Sequence, residues 1–246
     1  MGALLAALCW NTMTFWLKIP SSNSQALIGG LVGAIWAGFG SQAILMPGLI
    51  ATLVALIISP LLGMAAGFWL VRLCYLLTSA ATPHINQWFN RGQIFLGFVL
   101  AVAFGANEGQ KLMGVVTLGL MATGFLKTFT IPLWVIVFSA STMGIGALLG
   151  GWRLIHTLGD KFYKIRPIHG FGAQLASGTV VFAAALLGGP VSGSQVVTSA
   201  IVGAGSADRI KKVRWSIVRD IVAAWVLTLP LSMLIGAVCY WLIERV

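Results

Sequence analysis

PSSNSQALIGGLVGAI at residues 20–35 returns, 170 positions later, as PVSGSQVVTSAIVGAG at 190–205, with seven identities in sixteen and no gap. Chance in so apolar a composition gives about one or two, so the chain contains an internal repeat. Each copy opens on a proline followed by small hydroxylated residues and a glutamine, then runs into an apolar helical stretch. Proline starts a helix well at its first turn, and a helix start exposes backbone N–H groups with a partial positive charge. The chain therefore places two such helix starts, Pro20–Gln25 and Pro190–Gln195, in corresponding positions of two halves.

Their surroundings are those of a membrane. Of 246 residues, 59% are hydrophobic, 11% aromatic and 8% charged. So few charges cannot cover a water-facing surface, which excludes a soluble enzyme, and so many apolar residues exclude a disordered chain. The net charge of +10 does not indicate nucleic acid, because the basic residues lie between apolar runs. Those runs are continuous rather than alternating, which selects helices over a transmembrane barrel. Cys9, Cys74 and Cys239 sit within apolar stretches and read as small buried hydrophobes. No basic n-region precedes the opening apolar run, so no cleavable signal peptide is expected.

Spans need about 20 apolar residues. Candidates are 2–17, 24–40, 44–80 (interrupted at Ser59-Pro60), 94–126 (interrupted at 105–111), 131–151, 171–207 (broken at 188–195) and 215–243, bent at Pro230. A polar connector at 81–93 separates a first unit, 1–80, from a second, 94–246. Basic residues crowd 152–169 (Arg153, Lys161, Lys164, Arg166) and 208–214 (Arg209, Lys211, Lys212, Arg214), marking two cytoplasmic loops. The segment between them must then cross an even number of times or not at all. Its arms, 171–187 and 196–207, are short for the ~30 Å hydrocarbon core. That predicts a re-entrant hairpin with its tip at Pro190–Gln195, tolerated only where protein or a cavity surrounds it. Repeats built on broken helices point to a secondary transporter with its site between the halves.

The tips supply hydroxyl donors from Ser21, Ser22, Ser24, Ser192 and Ser194 beside free N–H groups, an arrangement suited to an anion. Small residues for close helix packing are the plainer reading of one such cluster, but a duplicated cluster favours the anion. In the interrupted run GANEGQK (105–111), Glu108 is the only acid before Asp160. An intramembrane carboxylate is a functional candidate by default. Asn107, Glu108 and the unwound carbonyls at Gly105 and Ala106 are oxygen ligands for a small cation, and Lys111 either pairs with Glu108 or faces the anion. A structural Glu108–Lys111 pair is the alternative. His84, His156 and His169 read as solvated residues in or beside loops. An intramembrane serine hydrolase using Ser192 or Ser194 would need a base that these histidines do not supply.

At these residues the sequence resembles the inorganic phosphate transporter (PiT) family. GANEGQK is similar to its GANDxxK motif, and the two Pro-x-Ser-x-Ser-Gln stretches are similar to its hairpin tips. GGWRLIHTLGDKFYKIRPIHGF and VRWSIVRDIVAAWVLTLP also resemble family text. The resemblance implies an all-α polytopic inner-membrane protein of inverted-repeat architecture, with re-entrant hairpins and broken helices. It implies phosphate transport coupled to sodium or protons, with no cofactor and no metal beyond a sodium ion at Asn107 and Glu108. The hairpin serines would hold the anion, joined by Gly193, Gln25, Gln195 and Lys111. Sulfate, another tetrahedral oxyanion, is the alternative cargo.

The chain departs from the family pattern in three ways. An earlier GAND-type motif is missing, with about 80 residues of the first repeat by that pattern. By that pattern the chain is a fragment, has its true start upstream, or relies on a separate chain carrying those helices; a homodimer is the other expected partner, and a non-transporting remnant is the alternative reading. Glu108 stands where the family has Asp, and Gln25, Gln195 and Gly193 stand where it has His, His and Thr. Lipid is the remaining expected neighbour, and nucleic acid is not one.

Cysteines introduced into 152–169 and into 208–214 are expected to react with a membrane-impermeant thiol reagent from the same, cytoplasmic side. Labelling from opposite sides would mean that 171–207 crosses the bilayer once.

Overall fold

A computed structural model describes residues 1–17, 21–82, 84–161, 163 and 165–244, with backbone alone at 150–161 and at 212. Its described residues form eight helices and no strand: α1 Gly2–Leu17, α2 Asn23–Phe39, α3 Met46–Leu77, α4 Ile85–Ala122, α5 Leu133–Lys161, α6 Pro167–Leu186, α7 Gly193–Asp208 and α8 Trp215–Glu244. Single 3-10 turns at Ser41–Ala43 and Ile210–Lys212 precede α3 and α8. The all-α expectation holds. Among the described residues α3, α4, α6 and α8 are long and apolar enough to cross a membrane. Pro20, the first residue of the first expected tip, lies outside the described residues.

Several expected breaks are not breaks. Helix α3 runs through Pro60 without interruption. Proline removes the N–H that would bond the carbonyl four residues back, here that of Leu56, and the Ser59 hydroxyl donates to that carbonyl at 3.4 Å. A side chain on the same turn thus takes over from the missing main-chain donor. Helix α8, expected as one span, does continue through Pro230.

Helix α4 is unbroken over 38 residues, so 105–111 is not an unwound segment and the carbonyls of Gly105 and Ala106 are committed to the helix. Its polar residues satisfy one another at helical spacing: the Lys111 ammonium donates to Asn107 four residues back and to Glu108 three back. The connector at 81–93 shrinks because α4 already begins at Ile85. Polarity there reflects an exposed helix rather than a loop. The basic stretch from 152 is also helical, as the end of α5 at Lys161.

The hairpin arms are longer than the apolar pattern indicates, 20 residues in α6 and 16 in α7. Pro167 starts α6 early, behind Arg166 at the N-cap. Gly193 and Ser194, which look like loop, form the first turn of α7. The link between the arms turns at Gly188, whose φ of 67° favours glycine.

Packing is reciprocal between the halves. Helix α2 lies along α8 and α7 along α3, while α1 also touches α8 and α6 also touches α3. These contacts are made backbone to backbone. A Cβ at Gly33 would overlap the main-chain oxygen of Met233, and one at Gly203, its counterpart in the repeat, that of Met64. The interior between α3, α6 and α7 is built from small residues, Ala173, Ala176, Ala200, Ala204 and Ala207 around Val71, as membrane helix packing favours. This close approach brings the starts of α2 and α7 to one place.

Gly33→Ala and Gly203→Ala are each expected to destabilise the chain by about 1–3 kcal/mol through overpacking. Gly114→Ala, whose Cβ meets nothing within 4 Å, should be neutral or stabilising. Thermal unfolding in detergent distinguishes them; equal melting temperatures for all three would remove the close-approach argument.

Candidate functional site

Ser22 and Ser192 are the N-caps of α2 and α7, and both are buried. The Ser22 hydroxyl donates to that of Ser192 at 2.8 Å. Ser22 Oγ also accepts the Gln25 N–H at 3.2 Å, closing the first turn of α2. Ser192 makes no such cap bond within its own helix; its hydroxyl is 3.2 Å from that of Ser194. Two helix starts, separated by 170 residues in sequence, therefore meet directly. Their dipoles present positive ends to one another, so the point of meeting favours negative charge.

A carboxylate of the chain lies against this point. The Ser24 hydroxyl donates weakly to Glu108 at 3.4 and 3.5 Å, and the Gly193 N–H approaches Glu108 Oε1 at 3.4 Å. Glu108 thus touches the first turn of both helices. Lys111 Nζ stands 2.9 Å from Glu108 Oε1. It also donates to Ser24 Oγ at 2.8 Å, Asn107 Oδ1 at 2.8 Å and the Val191 carbonyl at 2.6 Å. One residue from α2, three from α4 and a main-chain oxygen from the α6–α7 link converge here.

Of the expected site residues, Ser22, Ser24, Ser192, Ser194, Gly193, Asn107, Glu108 and Lys111 come together. Ser21 is half-buried and turned away, with its hydroxyl 2.8 Å from that of Thr14 in α1. Gln25 and Gln195 are buried, but their carboxamide oxygens have no protein partner. Both line a cavity of about 470 Å³ whose other walls include Leu56 of α3, Thr198 of α7 and Trp225 of α8. They face a largely apolar space rather than the serine cluster's hydrogen bonds.

The carbonyl of Val191 went unread because a main-chain oxygen carries no sequence signal. His169 is a correction of another kind. It is buried rather than solvated, with Nε2 2.9 Å from the Tyr75 hydroxyl and Nδ1 accepting the Arg166 N–H at 3.3 Å. Placed third in α6, its ring thus satisfies the main-chain N–H of the N-cap residue at the helix start. Tyr163 beside it donates to the Ile201 carbonyl at 3.0 Å. Burial, then Tyr75 and Asp208, pushes the Tyr163 phenol above its ordinary pKa, so it stays a donor. His84 is exposed at the start of α4, and the side chain of His156 lies outside the described residues.

A family model described as the phosphate transporter family matches residues 1–83 and 78–236. A probable low-affinity inorganic phosphate transporter of Rhizobium meliloti (strain 1021) is 39% identical over 247 residues, covering all of this chain and 74% of its own length. One from Bacillus subtilis (strain 168) is 36% identical over 248 residues with the same two coverages, 100% and 74%. One from Mycobacterium tuberculosis (strain ATCC 25618 / H37Rv) is 40% identical over 251 residues, covering 99% of this chain and 59% of its own. A solved structure described as the sodium-dependent phosphate transporter superposes with a TM-score of 0.86 at 20% identity, over 100% of this chain and 79% of its own. At that identity it shares the fold. The matched family is one of transporters, which removes the hydrolase alternative, and the chain is a multi-pass membrane protein.

Proposed function

The chain belongs to the phosphate transporter family, and on that premise we propose that it carries inorganic phosphate across the membrane between the starts of α2 and α7. The observation that carries the reading is the 2.8 Å contact between the two N-cap hydroxyls, Ser22 and Ser192. A tetrahedral oxyanion entering there would replace one hydroxyl–hydroxyl bond by charge-assisted bonds from Ser22, Ser24, Ser192 and Ser194, with both helix dipoles directed at it. The relatives' descriptions name inorganic phosphate, which favours it over sulfate as cargo. The reciprocal packing of α2 on α8 and α7 on α3 supports two inverted repeats with re-entrant hairpins that rock about this point.

Coupling is assigned to Glu108 and Asn107. Glu108 faces Lys111 from its own helix, Ser24 from α2 and the Gly193 N–H from α7. Its carboxylate competes with a substrate anion for those same helix starts. A proton on Glu108 removes that competing charge and frees Lys111 from its ion pair, so that proton and anion enter together. The proton is therefore the coupling ion in this reading. The glutamate that replaces the family's shorter aspartate suits it, because its carboxyl has one more bond of reach toward the tips.

Labelled phosphate uptake by the chain in liposomes tests the anion site. Ser192→Ala and Ser194→Ala should each remove a bond to a charged ligand worth about 1.5–3 kcal/mol. Half-maximal uptake should then need at least ~10 times more phosphate, and equal sulfate should compete poorly. Unchanged affinity in both variants at normal abundance would take these hydroxyls out of the site.

Glu108→Gln should abolish accumulation against a gradient yet leave phosphate exchange, since the neutral amide resembles the protonated acid. Sodium-driven uptake at constant pH, unaffected by a protonophore with the sodium gradient and membrane potential clamped, would refute proton coupling.

A further inference from the structure

The oxygens around the Lys111 ammonium are more than a salt bridge needs. Ser24 Oγ, Asn107 Oδ1, Glu108 Oε1 and the Val191 carbonyl lie at 2.8, 2.8, 2.9 and 2.6 Å. An ammonium has three protons to give, and here four acceptors converge on it from three separate elements. A hydroxyl, an amide oxygen, a main-chain oxygen and one carboxylate oxygen aimed at a single point form the donor set that a small hard cation takes. With its side chain 19% exposed, Lys111 stands where α2, α4 and the α6–α7 link would otherwise clamp a free ion.

We propose that Lys111 is a tethered cation that occupies this oxygen cage and closes it to sodium. The inference rests on the reading of Asn107 and Glu108 as the coupling residues, and it deepens that reading. A covalently attached ammonium has an effective concentration in the cage that a dissolved ion must outcompete, and its charge already satisfies Glu108. A proton adds to Glu108 without needing space in the cage, whereas sodium must first evict Lys111. Removing the ammonium should therefore turn the cage into a sodium site. The lysine acts on ion selectivity through the cage, as a positioning residue.

The test measures radioactive sodium binding and the thermal midpoint of the purified chain in nanodiscs. Sodium chloride is titrated against N-methylglucamine chloride at constant ionic strength. The unaltered chain should bind no sodium above background and keep its midpoint. Lys111→Ala should bind sodium and gain about 2 °C or more at saturation, and adding Glu108→Gln should weaken that binding at least ~10-fold. Lys111→Ser, which keeps the space and adds a hydroxyl, is read in the same way if the alanine variant does not fold. Sodium binding by the unaltered chain that Glu108→Gln abolishes would overturn the proposal. So would a folded Lys111→Ala that binds none, or whose binding survives Glu108→Gln. If neither lysine variant folds, the unaltered chain decides: absence of sodium binding supports the closed cage and its presence overturns it. Neither readout uses phosphate, so failure here leaves the phosphate reading standing, and failure of phosphate uptake leaves the sodium result standing.

Discussion

Two buried helix starts are held face to face in this protein, Ser22 Oγ against Ser192 Oγ at 2.8 Å. Left alone, such a junction is unfavourable: partial positive charges confront one another and first-turn N–H groups lack intrahelical acceptors. It persists because α2 and α7 are each clamped along a long helix of the opposite half, α8 and α3. That clamping needs backbones in contact, which is why Gly33 meets Met233 and Gly203 meets Met64 with no room for a methyl group. The small-residue faces therefore serve the site. They supply the packing that offsets the cost of bringing two N-termini together.

Charge completes the balance. Glu108 brings a carboxylate to the first turns of both helices, and Lys111 brings a cation to the carboxylate. Breaking such a pair by deleting one partner costs about 3–5 kcal/mol when the other stays buried. Here both side chains are partly exposed, 19% and 17%, so the isolated charge retains some solvation and the cost is smaller. The pair thus ties α4 to the two helix starts without being sealed from its surroundings. The buried and unpartnered carboxamide oxygens of Gln25 and Gln195 stand apart from this balance, facing the neighbouring, largely apolar cavity.

The long helices run through their apparent breakers for a common reason. Proline at 60 and the polar run at 105–111 are breakers only if the backbone groups or charges they expose find no local partner. Ser59 supplies one to the Leu56 carbonyl, and Lys111 supplies one to Asn107 and Glu108 on its own helix. Both partners lie within four residues, so the information was present in the sequence but its resolution depended on rotamers. His169 was misread because its partners, Tyr75 and the Arg166 N–H, include one nearly a hundred residues away.

By itself the sequence determined the features that composition and period dictate. A chain with 8% charged residues and long apolar runs has to be membrane-embedded, and because those runs are continuous rather than alternating it spans as helices and not as a barrel. A tip repeated at 20–35 and 190–205 has to make two similar structures. The sequence also marked Glu108 and Lys111, since charges in an apolar run need a reason. Tertiary structure alone decided that the two tips touch, that Ser21 turns toward Thr14 while Ser24 turns toward Lys111, and that the Val191 carbonyl joins the lysine. Those outcomes depend on the direction in which α2 and α7 approach one another, set by glycine contacts between helices far apart in the chain. No local pattern encodes that direction.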